Sequence, residues 1–357
     1  MNMHYIYSLL AVILLSLIAY LGVEAIGLQV LFGIILPYLA LILFIVGFIY
    51  RIMGWARSAV PFRIPTTCGQ QKSMPWIQQA RIDCPSSKWA VVVRMFLEIV
   101  LFRSLFRNTR VGLKGGKLTY QWEIFLWVGA LAFHWSFFTV LVRHLRFFTE
   151  PIPAAIQLLE HLDSFFRIEI SYEMIQIGLP GFYLSGLVLL AAGVYLFLRR
   201  IFIPTVKYIS LAADFFPLFL IMGIAISGIL MRYFTKVDIT SVKALTMGLV
   251  TFRPSIPDGV GGLFYVHFFL VSLLLAYFPF SKLMHMGGIF LSPTRNLTTN
   301  TREIRHVNPW NYPVPVHTYE EYEDEFREKM VEVGLPVDKE LEVKAPEADD
   351  SEEEEKE

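Results

Sequence analysis

Four of the eight histidines fall in two of the apolar stretches: His134 and His144 stand ten residues apart in one, His267 and His285 eighteen apart in the other. Ionisable side chains are rare inside a bilayer and usually face a bundle interior, where they line a pathway or bind a cofactor. Neutral imidazole is a standard axial ligand for haem iron. One such histidine would read as an interhelical hydrogen bond or a proton relay. Four, two to a helix, favour ligation of two haems b. Ten residues of helix rise about 15 Å and turn the facing by about 80°, whereas eighteen rise about 27 Å and return to the same face. Straight helices cannot satisfy both spacings equally, so tilted haem planes and a bend near Pro279, which removes a backbone hydrogen bond, are expected to absorb the mismatch.

The elements that must position these rings are membrane spans. The chain has 357 residues with only 17% charged and a mean hydropathy of +0.52, a balance that calls for lipid as solvent. Apolar windows predict six spans at 5–23, 28–50, 121–146, 178–200, 208–233 and 261–284, each near the roughly 20 residues that cross a bilayer. The first lacks a small-residue cleavage site and reads as a retained anchor. Residues 51–120 carry twelve Lys and Arg side chains, among them Arg51, Arg81, Arg94, Arg103 and Lys117. By the positive-inside rule this segment is cytoplasmic, and both termini with it. Arg199, Arg200 and Lys207 then fall inside, and the loop with Glu160, Asp163, Glu169 and Glu173 outside. The third span runs outward and the sixth inward, so His134 pairs with His285 at the inner side and His144 with His267 at the outer side.

Haem propionates need cations. Arg143 and Arg146 flank His144 and are the candidates for the outer haem, with Lys282 near His285 for the inner one; each has an alternative reading as an interfacial anchor. Glu24 and Asp214, at the ends of spans, could relay protons, but such positions commonly carry charge. Arg167 and Glu169 could bind or deprotonate a quinol hydroxyl, against a simpler reading as solvated loop charges. Cys68 and Cys84 are too far apart for a CxxC pair and read as free thiols. Phosphate-binding glycine loops, nucleophile elbows and zinc signatures are absent from contexts where they would act. That argues against nucleotide chemistry, and nucleic acid is not an expected partner.

Within 51–120, the apolar stretch 89–106 is interrupted by Arg94, Glu98 and Arg103. These charges are read as lying on different helical faces, so a span is not expected; a helix at the inner interface or under a partner subunit is. The chain closes with PEADDSEEEEKE at 346–357, an acidic end expected to be disordered.

The five spans from 28 to 285 resemble the gamma subunit of respiratory nitrate reductase, whose family carries two histidines on each of two helices. Within that family, IPTTCGQQKSMPWI at 64–77, FRSLFRNT at 102–109 and RHVNPWN at 305–311 resemble the DsrM membrane cytochromes of DsrMKJOP complexes. With the first apolar window added to the family's five spans, the expected fold is an all-α integral membrane bundle of six transmembrane helices, with two haems b between the third and sixth spans. Residues 1–27 would be an extra N-terminal span, 28–285 the dihaem core and 286–357 a cytoplasmic tail. The resemblance further implies menaquinol oxidation near the outer haem and electron delivery to the cytoplasmic iron-sulfur subunit DsrK. A periplasmic multihaem cytochrome c would be another partner, and sulfur metabolism the setting. Alternatives are the cytochrome b subunit of a nitrate or heterodisulfide reductase and, in another class, a haem-free transporter or scaffold.

Overall fold

The structure is a computed structural model that describes residues 3–58, 69–165, 168–172, 175–179, 181–292, 295–301, 304, 307 and 316–339, without the side chains of 114 and 166–180. The chain divides into two units, Met1–Val307 and Asn308–Glu357.

Six helical stretches in the first unit are long and apolar enough to cross a membrane: His4–Glu24, Leu31–Ala56, Ile124–Phe147, Leu184–Phe202, Ala212–Thr235 and Gly262–Phe280. Each overlaps an expected span, and the chain is a multi-pass membrane protein, mostly helical. The outward faces are as apolar as the inward ones. Leu14 is 59% and Val46 61% exposed, the all-round hydrophobicity of helices that meet lipid.

In chain order, α1 (His4–Glu24) is followed by a π-helical turn at Leu31–Ile35 that leads into α2 (Leu36–Ala56). Next come α3 (Lys88–Val100), α4 (Arg103–Phe106), a hairpin of β1 (Thr109–Lys114) and β2 (Lys117–Trp122), and α5 (Ile124–His144). Helix α6 (Ala154–Asp163) precedes β3 (Ser164–Phe165), β4 (Ile168–Tyr172), β5 (Ile175–Leu179) and β6 (Phe182–Tyr183), in which β4 pairs with β5 and β3 with β6. Then follow α7 (Leu184–Phe202), α8 (Pro204–Ile209) and α9 (Ala212–Leu230), the last continued by a π-helical turn at Met231–Thr235. Helices α10 (Ile239–Val250), α11 (Gly262–Tyr277) and α12 (His285–Leu291) complete the unit.

The core lies where α1, α9 and α11 meet, around Val12, Ala19, Phe215, Leu220, Phe264 and Leu270. Helix α2 packs on α11, and α5 on α7, which in turn packs on α9. Gly129 makes the α5 contact possible, because a Cβ there would stand 2.4 Å from the Tyr195 ring. Glu24, at the end of α1, accepts the Gly262 N–H at 2.8 Å, capping from another span an N-terminal amide of α11 that has no partner within its own helix. Asp214 accepts the Leu211 N–H at 3.0 Å and pairs with Lys282 at 2.7 Å.

Helix α3 departs from expectation in an informative way. Arg94 and Glu98 are one turn apart and share the buried face with Val91, while Trp89, Val92 and Phe96 point outward. Arg103 belongs to the separate α4. Glu98 accepts from the Ser104 amide at 3.2 Å and pairs with Arg295 at 3.1 Å; Asp83 pairs with Arg103 and Arg107. Burial pushes the Asp83 carboxyl up, but those two guanidiniums outweigh it and hold it below its ordinary value. Cys84 is buried, with its thiol on the Gly69 carbonyl at 3.2 Å. Cys68 lies outside the described residues, as does the acidic end of the chain.

The second unit contains α13 (Tyr319–Glu332), a helix within the expected tail, opened by Thr318 and Glu321 as reciprocal caps. Glu323 accepts the Asp338 and Lys339 amides at 2.8 and 2.9 Å, folding the following turn back onto α13.

Candidate functional site

The four histidines meet in the two expected pairs. The His134 and His285 rings are 5.9 Å apart between centroids, and the His144 and His267 rings 6.3 Å apart. Helices α5 and α11, which carry three of the four, are not among the closely packed helix pairs, yet the His144 and His267 rings face each other between them. The spacing mismatch is resolved by a break. Helix α11 ends at Tyr277, a 3₁₀ turn at Phe278–Phe280 contains Pro279, Ser281 is extended, and His285 begins α12. The sixth span is therefore shorter than the stretch 261–284, and His285 is freed from the 27 Å rise that a continuous helix would impose.

Each ring is held through Nδ1. His134 is tied to the Ala130 carbonyl at 2.8 Å, His144 to Val140 at 2.7 Å, His285 to Lys282 at 2.8 Å and His267 to the Ser227 hydroxyl at 2.9 Å. Such bonds fix tautomer and ring orientation in metal-ligating histidines and leave Nε2 for the metal. A metal bonded at about 2 Å to two facing imidazole nitrogens would set ring centroids about 6 Å apart, as both pairs are. Among the described residues no three His, Cys, Asp or Glu side chains converge as a metal site. Two protein ligands fit axial positions on a macrocycle and fall short of the three or four that zinc takes. The site residues therefore fit haem.

Other side chains enclose the pairs. Phe102, at φ 49°, lays its ring edge-on to His134 at 4.9 Å. Its segment is held by the Trp127 and Trp135 indoles, which donate to the Leu101 and Val100 carbonyls at 2.7 and 3.0 Å. At the other end, Gly228 of α9 lies against His267, and a Cβ there would be 3.3 Å from Cε1.

The expected cations all have carboxylate neighbours. Arg143 is buried and pairs with Asp163, Arg146 pairs with Glu160, and Lys282 with Asp214. Asp163 also accepts from the Ser185 amide and hydroxyl at 2.8 and 2.5 Å. Glu160 also accepts from the Tyr183 hydroxyl. Burial raises the Glu160 carboxyl, but Tyr183 and Arg146 together hold it below its ordinary value. The Tyr183 ring is flanked by Arg143 at 3.5 Å and Arg232 at 3.9 Å. Sequence reasoning overlooked Ser227, Gly228, Arg232 and Tyr183. The one local signal was Ser227–Gly228, small residues in an otherwise bulky apolar run. The Arg167 and Glu169 side chains lie outside the described residues.

A model of the nitrate reductase gamma subunit matches residues 92–306, well over half of the chain. The chain belongs to that family. The match takes in both histidine pairs and all of α5 to α12. Two relatives are similar over most of their length, each named an Hdr-like menaquinol oxidoreductase cytochrome b-like subunit. The one from Archaeoglobus fulgidus is 46% identical over 289 residues, 79% of this chain and 84% of the relative. The one from Archaeoglobus profundus is 42% identical over 284 residues, 77% and 81% respectively.

Proposed function

We propose that this chain is a dihaem cytochrome b that oxidises menaquinol and passes electrons across the cytoplasmic membrane to an iron-sulfur partner subunit. The observation that carries the reading is the meeting of four Nδ1-anchored imidazoles in two facing pairs. His134 and His285 would hold the inner haem, His144 and His267 the outer one, with Arg143 and Arg146 beside the outer site and Lys282 beside the inner. Bound haem supplies one-electron carriers, which a two-electron quinol needs if its electrons are to leave singly. The chain's own part is to fix the rings. Anchored at Nδ1, all four imidazoles present Nε2 in one tautomer, and the Phe102 segment covers the inner pair on one side.

The basic 51–120 segment supports a cytoplasmic assignment for both termini and for the His134–His285 end. The names of the relatives support menaquinol and an Hdr-like complex. The DsrM resemblance adds DsrK as the iron-sulfur partner, a periplasmic multihaem cytochrome c, and dissimilatory sulfur metabolism. A heterodisulfide-reductase-type partner is the second reading, favoured by those same names; the iron-sulfur subunit that co-purifies decides. The principal test is a haem assay and reduced spectrum of the purified chain. Two haems b per chain are expected, and His144→Ala should remove the outer while sparing the inner. One haem or none in the wild type, or His144→Ala with both intact, would refute the assignment.

A further inference from the structure

Three guanidiniums and two carboxylates cluster beside the His144–His267 pair among the described residues. Arg143 is matched to Asp163 and Arg146 to Glu160. Arg232 is the remainder: among the described residues no carboxylate pairs with it, and its Nε is buried without a hydrogen-bond partner. Its contacts are the faces of Tyr183 at 3.9 Å and Tyr233 at 5.8 Å, and Tyr183 carries Arg143 on its ring as well, at 3.5 Å. A half-buried guanidinium with a second one across a shared ring is a costly arrangement unless an anion completes it.

Its place on the helix says which anion. Ser227 and Gly228 of α9 lie against the His267 ring, the first by a 2.9 Å hydrogen bond and the second so close that a Cβ would stand 3.3 Å from Cε1. Arg232 follows Gly228 by four residues, one turn nearer the end of the span, in the π-helical turn Met231–Thr235. Such turns re-aim side chains and are frequent at functional sites. The same helix therefore presents, in succession, the hydroxyl that holds the His267 ring, a glycine packed against that ring, and a cation that no described carboxylate pairs.

On the haem reading above, we propose that Arg232 binds a carboxylate of the tetrapyrrole gripped by His144 and His267. A bidentate, charge-assisted bond would complete its donors, leaving Arg143 and Tyr183 as the platform that positions it.

The experiment uses the full-length chain in its membrane complex, comparing wild type with Arg232→Gln and Arg232→Lys. Haem per chain is counted and each haem is titrated by its visible spectrum, the outer component being the one that disappears in His144→Ala. Removing the cation leaves an uncompensated carboxylate that favours ferric iron. Arg232→Gln is expected to shift the outer redox equilibrium about tenfold toward the oxidised form, ~59 mV for one electron, or to lose that haem alone. Arg232→Lys should recover part of the effect. Unchanged potentials and haem content in Arg232→Gln would overturn the proposal; that is also the result if the guanidinium holds a lipid phosphate or a free anion. Equal loss of both haems in Gln and Lys variants would overturn it too, by making Arg232 a general folding residue. A wild-type chain with fewer than two haems would instead bring down the haem reading beneath it.

Discussion

At the scale of single residues, the neighbour of an imidazole says as much as the imidazole. Three of the rings are anchored by carbonyls of their own local segments, His134 and His144 four residues back and His285 three residues back. Anchors of that kind travel with the sequence. His267 depends on Ser227, forty residues away on α9, and no spacing rule could have found that partner. Outer-shell partners of metal ligands typically contribute about 10- to 100-fold in affinity. If His144 and His267 hold a haem as proposed, Ser227→Ala is accordingly expected to weaken its retention about tenfold, while Ser227→Thr keeps it; haem titration into the haem-depleted protein measures both. Equal affinities in wild type and Ser227→Ala would remove the hydroxyl from the account. The histidines themselves were legible because few ionisable groups enter the spans. Arg232 was not, since an arginine at the end of a span reads as a headgroup anchor until its buried Nε is seen without a partner among the described residues.

Among the elements, long apolar helices were legible from hydropathy alone, and the charged ones were harder. Helix α3 shows why. Its charges were read as spread over several faces, whereas Arg94 and Glu98 share the one buried face, where Glu98 meets polar partners supplied by α4 and Arg295. A pattern that is polar inside and apolar outside inverts the usual amphipathic rule. Helix α13 had a usable signal, the Thr318–Glu321 capping spacing, at the head of a segment expected only to be a polar tail. Helix α6 reaches the cluster beside the His144–His267 pair through Asp163, and the Arg143–Asp163 pair is nearly enclosed, at 10% and 5% side-chain exposure. Breaking a pair so buried costs about 3–5 kcal/mol. Asp163→Asn should lower thermal stability in detergent by about that amount, whereas the same change at exposed Glu150, which pairs with Lys243, should have little effect. Helix α10 offers a pH test. Asp238 caps it through the Thr240 and Ser241 side chains and amides, which lower its pKa from 3.8 to about 2. Because the folded value is the lower one, the cap contributes fully above pH 3.8 and is lost as pH falls toward 2. Amide exchange in the first turn of α10 should stay slow at pH 4 and quicken below pH 3, and Asp238→Asn should flatten that dependence.

For the whole molecule, the even number of candidate spans predicts that both ends of the chain share a compartment. A reporter fused at either terminus should respond as cytoplasmic, and one placed in the 151–177 loop as external; opposite responses at the two termini would require a different number of crossings. The bundle is also closed by distant partners. Glu24 at the end of the first crossing caps Gly262 at the start of the last, 238 residues later. At roughly 5–20 residues per second of synthesis, the ribosome needs about 12–48 s to deliver that amide. During this interval the carboxylate has no such partner and must remain in water at the membrane surface. Helix α1 is thus made early but locked late, when α11 arrives to fasten it.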